Sequence, residues 1–171
     1  MARLFIAVWP PDDVVAELRA LPRKDQRGVR FVHPENWHVT LRFLGEAHPG
    51  AIEGALEGIE IAPARVRLGP AVDVLSGRAL VVPVAGLDTI AGEVTTRTRD
   101  LGERPRQRFV GHLTIARLQP HADAPRALGA MLDAAFELEE IALVESRLHP
   151  QGARYTTIAT WPVTRPPLSP G

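Results

Sequence analysis

Two stretches, WHVTLRF at 37–43 and GHLTIARL at 111–118, set an ionisable ring and a hydroxyl two residues apart in runs that otherwise read as buried strand. Side chains alternate along a strand, so His38, Thr40 and Arg42 are expected on one face and Val39, Leu41 and Phe43 on the other. The same alternation puts His112 and Thr114 opposite Leu113 and Ile115. A chain that carries this unit once in each half, with a spacing of roughly 75 residues, is constrained to two like-built strands, each fixed by an apolar face to a core.

The segments around these strands give each half a mixture of strands and helices. RLFIAV (3–8) reads as a strand, and after Pro10 and Pro11 a helix capped by Asp12 or Asp13 carries Val14, Leu18 and Leu21 at helical spacing. GVRFV (28–32) is a second short strand, HPEN (33–36) a turn, and Gly45 is expected to stop the first motif strand. Residues 49–60 read as a glycine-weakened helix, and VRLGPAVDVL (66–75) and RALVVPV (78–84) as strands around a turn at Ser76 and Gly77. A helical stripe runs from Leu87 to Leu101. The spacing then predicts a strand over 107–118, a helix over 123–136 with Leu128, Met131, Leu132 and Ala135 on one face, and strands over 136–148 and 154–163. The class is α+β, one domain over 1–171 made of two similar lobes, each carrying one motif, with residues 165–171 a flexible tail.

Composition removes several functions. The formal net charge is zero, so nothing global favours duplex DNA or an anionic membrane, and any nucleic-acid contact must be local. The absence of cysteine excludes a thiol nucleophile, a disulfide framework and a cysteine-based zinc site. The apolar run before Pro10 is too short for a secretory signal or a membrane span, which points to a cytoplasmic protein, expected to be a monomer.

A single strand histidine is most simply a core residue whose ring bonds a backbone carbonyl. Two, one from each lobe, suit a general acid and a general base, because an imidazole titrating near about 6.5 can hold either form at neutral pH. Such a pair fits in-line displacement at phosphorus. One ring takes a proton from water, the other protonates the leaving oxygen, and the threonine hydroxyls donate to the non-bridging oxygens where charge grows. The scheme needs no metal and no cofactor.

The pair H-V-T-L (38–41) and H-L-T-I (112–115) resembles the tandem signature of the 2H phosphoesterases. With RLFIAVWPP, RFVHPENWHVTLRFLGE, FVGHLTIARL and GARYTTIATWPV, the likeness extends over nearly the whole chain and narrows to the RNA 2′,3′-cyclic phosphodiesterases, also called 2′-5′ RNA ligases. The resemblance implies a bilobal fold with pseudo-twofold symmetry and a V-shaped cleft between antiparallel sheets. It also implies opening of a 2′,3′-cyclic phosphate to a 2′-phosphate without metal, with weak reverse joining of RNA ends such as tRNA halves. Carried over, His38, Thr40, His112 and Thr114 are the motif positions, His38 the acid and His112 the base, and Arg117 matches a family arginine that binds substrate. Gly111 stands where the family often has proline, a change expected to loosen the backbone.

Other readings stay open. The substrate could be a small nucleotide, such as a cyclic phosphate of ADP-ribose or a 2′-5′ oligoadenylate, or the chain could be a noncatalytic module that binds phosphate or RNA. By alternation Arg42 could meet a phosphate beside His38, whereas Arg117 would point away from His112 unless a bulge intervenes. The basic run 97–108 could track an RNA backbone. Trp37 and Phe43 read as core, while Phe5, Phe109 and Tyr155 could flank the cleft. His33, His48, His121 and His149 fall in turns and loops without metal-ligand spacing.

Overall fold

The computed structural model describes residues 1–105 and 108–167. The strand predicted over 107–118 is seen as β7 (His112–Leu118); Gln107, like most of the tail predicted from 165, lies outside the described residues.

The chain runs β1 (Ala2–Val8), α1 (Asp12–Arg19), β2 (Val29–Phe31), β3 (Val39–Ala47), α2 (Pro49–Leu56), β4 (Arg65–Leu68), β5 (Asp73–Leu75) and β6 (Ala79–Ala85). It continues through α3 (Asp88–Arg97), β7, β8 (Ala134–Glu137), β9 (Glu140–Arg147) and β10 (Arg154–Pro162). The strands join in the order β10-β9-β1-β3-β7-β6-β4-β8, with β2 on β7 and β5 on β6. The two motif strands, β3 and β7, sit together at the centre. One lobe is therefore β10-β9-β1-β3 and the other β7-β6-β4-β8, so the last two strands return to the first lobe.

The helices tie the lobes together. α1 leaves β1 and packs against β8 of the other lobe, and α3 leaves β6 and packs against β3. One apolar core runs beneath the whole sheet, from Leu4 and Ile6 through Val39 and Leu113 to Leu80 and Val82. At α1, Pro11 occupies the cap position and its carbonyl accepts the Val15 N–H; Asp12 and Asp13 lie in the first turn, where they complement the helix dipole instead of capping it.

The helix predicted over 123–136 is absent. Turns cover the segment up to Gly129, whose φ of 82° is left-handed, and β8 follows, paired to β4. Leu132, Ala134, Phe136 and Leu138 are buried while Met131, Asp133 and Glu137 are exposed, the period of a strand. Leu128 and Met131, assigned to the buried stripe of that helix, are 42% and 75% exposed. Gly45 likewise does not stop β3, which runs on to Ala47.

Candidate active site

β3 and β7 meet through a single antiparallel residue pair, Val39 with Leu113, the middle residues of the two motifs. Continuing that register by one position each way sets His38 across from Thr114 and Thr40 across from His112. Val39 and Leu113 are both in the core, so all four polar side chains rise on the opposite, concave face. The pseudo-twofold axis passes through this pair.

The two rings are held alike. His38 Nδ1 lies 2.7 Å from the Asn36 carbonyl and His112 Nδ1 2.7 Å from the Val110 carbonyl, each two residues back. A carbonyl only accepts, so Nδ1 carries the proton in both rings and Nε2 of the neutral form is an acceptor. The Thr40 hydroxyl donates to His38 Nε2 at 3.0 Å.

Each motif strand is bulged one residue after its threonine. The β1–β3 register steps from Ala7–Thr40 to Ile6–Arg42 and leaves Leu41 as the extra residue; the β6–β7 register steps from Val81–Thr114 to Leu80–Ala116 and leaves Ile115 extra. The extra residue reverses the facing of everything beyond it. Arg117 accordingly joins the face of His112 and Thr114, and its charge is felt at His38.

The same device corrects two expectations on β3. Arg42 does not join His38: it is 4% exposed and turned toward α3, where it donates to Thr98 Oγ1 and to the carbonyls of Phe43, Thr98, Leu101 and Glu103, the last at 2.6 Å. It fastens the turn after α3 to β3. Phe43, expected in the main core, comes onto the concave face with Phe5, Ala7, Val144 and Tyr155. Trp37 is core, at 1% exposure.

His38 is walled by aromatic rings. Its centroid lies 4.8 Å from Phe5, 5.6 Å from Trp9 and 5.3 Å from Tyr155, the last two edge-on. Burial lowers its pKa to about 4, the Asn36 carbonyl opposes this, and the positive charges of Arg117 and His112 lower it further. At neutral pH His38 is therefore uncharged and basic at Nε2. Trp9, which follows β1 and donates to Thr157 Oγ1 at 3.2 Å, was not singled out in the sequence. Only its position two residues beyond Ala7, just past a strand that pairs with β3, could have signalled it.

Gly111 tightens the backbone. A Cβ there would run into the Val84 carbonyl oxygen, and the Gly111 carbonyl accepts the Val84 N–H at 2.9 Å. The residue before His112 thus lets β6 approach closely enough to fix the ring's anchor. Of the basic run 97–108, Arg97 pairs with Glu93, and Arg106 and Gln107 lie outside the described residues. His33, His48, His121 and His149 are exposed, and among the described residues no group of acidic and imidazole side chains is arranged to hold a metal ion.

Residues 8–71 and 82–155 match the model of the family described as LigT like phosphoesterase, which takes in both motifs and both bulges. The chain belongs to the LigT-like phosphoesterases. This phosphoesterase is similar to proteins named RNA 2′,3′-cyclic phosphodiesterase from Thermus thermophilus, at 32% identity over 91% of this chain and 87% of the relative, and from Methanocaldococcus jannaschii, at 27% over 93% and 99%. A crystal structure of a Thermus thermophilus protein superposes with a TM-score of 0.76 at 30% identity, covering 94% of this chain and 97% of that one. Escherichia coli LigT, solved with 3′-AMP, shares the fold at a TM-score of 0.78 and 24% identity, over 96% of this chain and 99% of that one. The bilobal α+β architecture is that of the family. No helix among the described residues is long and apolar enough to cross a membrane.

Proposed function

We propose that this phosphoesterase opens the 2′,3′-cyclic phosphate at an RNA end, or on a nucleotide, to the 2′-phosphate by acid–base chemistry shared between His38 and His112. The observation that carries the reading is the facing of two imidazoles across one strand pair, each tethered at Nδ1 and each with a threonine hydroxyl from either strand beside it. The names of the relatives supply the substrate class.

His38 is the base. It is neutral at pH 7 because burial lowers its pKa, and the charges of Arg117 and His112 favour the same form. Its Nε2 takes a proton from water as the water oxygen bonds to phosphorus. The bond from phosphorus to the 3′ oxygen breaks, and that oxygen receives the proton carried by His112. This reverses the polarity expected from likeness. Thr40 and Thr114 donate to the non-bridging oxygens, Thr40 turning its hydroxyl from His38 Nε2 to the phosphate. If the 5′-hydroxyl of a second RNA takes the place of water, the same proton movements yield a 2′-5′ linkage.

Both proton transfers are met by side chains, so turnover should persist in EDTA, and His38→Ala and His112→Ala should each abolish it. Full activity in both variants, or loss of wild-type activity to the chelator, would sink the mechanism. A substrate with sulfur in place of the 3′ oxygen separates the roles, because a thiolate leaves without a proton. It should restore turnover to His112→Ala and not to His38→Ala; the opposite pattern would reverse the assignment.

A further inference from the structure

Arg30 stands directly opposite Arg117 in the antiparallel pairing of β2 with β7. Directly opposed residues project from the same side of a sheet, so the two guanidinium groups lie side by side. The flanking positions Val29, Phe31, Leu118 and Ala116 pack against the core, leaving Arg30 and Arg117 exposed on the face that carries His112 and Thr114. Although β2 has three residues, its ladder extends at both ends: the Gln119 N–H donates to the Gly28 carbonyl, and the Val32 N–H to the carbonyl of the bulged Ile115, each at 2.9 Å. Arg30 is thus held on a fixed strand.

Opposed like charges destabilise a sheet unless something neutralises them. Among the described residues neither arginine has a carboxylate within ion-pair distance; the ion pairs there use Arg65, Arg97 and Arg147. Within β5, β6 and β7 the carboxylate that shares their face by register is Asp73, across Val81 from Thr114, and its Oδ1 accepts the Val74 N–H. On the β6 side Arg117 neighbours Ala79, whose small side chain leaves the guanidinium room. The opposite wall, Phe5, Trp9, Phe43 and Tyr155, is aromatic, and the Arg3 guanidinium there lies over the Phe43 ring, 5.2 Å from its centroid, on a residue that stands opposite Glu46. An anionic group beyond the reacting phosphate is therefore accommodated on the β2–β7 side.

We propose that Arg30 and Arg117 together bind a second phosphate of the substrate, the one on the 5′ side of the nucleoside whose cyclic phosphate lies between His38 and His112. The site then selects an RNA end, or a 5′-phosphorylated nucleotide, over a nucleoside cyclic phosphate. This rests on the reaction proposed above.

The test compares adenosine 2′,3′-cyclic phosphate with and without a 5′-phosphate, and a dinucleotide ending in the cyclic phosphate. In the wild type the second phosphate should raise kcat/KM about tenfold, through KM, and added salt should erode that gain. Arg30→Ala should collapse the ratio between the two mononucleotides to about one, and Arg30→Lys should restore part of it. The dinucleotide should behave like the 5′-phosphorylated mononucleotide; if it matches the unphosphorylated one, an internal RNA phosphate is not what the pair binds. Equal kcat/KM for both mononucleotides in the wild type, or an equal fall on both in Arg30→Ala, would overturn the proposal. Calorimetry with adenosine 2′,5′-bisphosphate against adenosine 2′-monophosphate reads the preference without turnover. A retained preference in a protein that opens no cyclic phosphate would overturn the reaction and keep the second phosphate; no preference would overturn the second phosphate alone.

Discussion

His38 links the chemistry of the cleft to the stability of the fold. In the folded protein its pKa is lowered to about 4, against 6.5 for the ordinary side chain, chiefly because the ring is buried among Phe5, Trp9 and Tyr155. Between those values the unfolded chain binds a proton that the folded one refuses, so stability rises with pH through the window and is lost as pH falls from about 6.5 toward 4. The gap corresponds to about 3 kcal/mol, a sizeable part of the stability of a domain. Urea unfolding across pH 4 to 7 measures it, with His38→Gln as the reference: carboxylates titrate alike in both proteins, and the variant should lack about that much pH dependence. The ring protons of His38 followed by NMR should titrate near pH 4, and Arg117→Met, which removes one of the positive charges acting on the ring, should move that midpoint upward. Titration near 6.5, or the same pH dependence in wild type and variant, would refute the reasoning.

Two further outcomes follow from the backbone around the site. Arg42→Met should cost roughly 3 kcal/mol in urea or thermal unfolding, because the carbonyls of Thr98, Leu101 and Glu103 lose a buried donor. Its kcat/KM measured on the folded fraction should change far less than that of His112→Ala. Gly111→Ala should lower both the melting temperature and kcat, since the new Cβ drives the backbone away from the Val84 carbonyl and with it the Val110 carbonyl that anchors His112; wild-type values for both would contradict the close approach.

The pair of H-x-T units was legible because it depends on identity and period: His38, Thr40, His112 and Thr114 share a face just as strict alternation requires. Alternation failed at the next residue. A bulge adds one position without any change of residue type that marks it, so Leu41 hid the reversal that buries Arg42 and exposes Phe43 to the cleft. At Ile115 the same insertion turns Arg117 inward, and only likeness to a family had suggested an arginine there. The segment 123–136 was misread for another reason. Apolar residues at 128, 131, 132 and 135 fit a helix, but 132, 134, 136 and 138 fit a strand equally well, and Gly129 together with pairing to β4 favours the second pattern. The crossing of α1 and α3 onto opposite lobes depends on packing across long sequence distances and left no local trace.

The single Val39–Leu113 bridge has a mechanical consequence. β3 meets β7 at that one pair, while the three-residue pairing of β2 with β7, the crossing of α1 and α3 and the shared core fasten the lobes around it. Away from the bridge β3 and β7 no longer pair, so the cleft widens from the motif residues toward the rims where Tyr155 and Arg30 stand. The two imidazoles, each one residue from the bridge, sit where the strands are joined. Width at the mouth is thereby separate from spacing at the base, where the backbone bridge holds the two rings' strands in register.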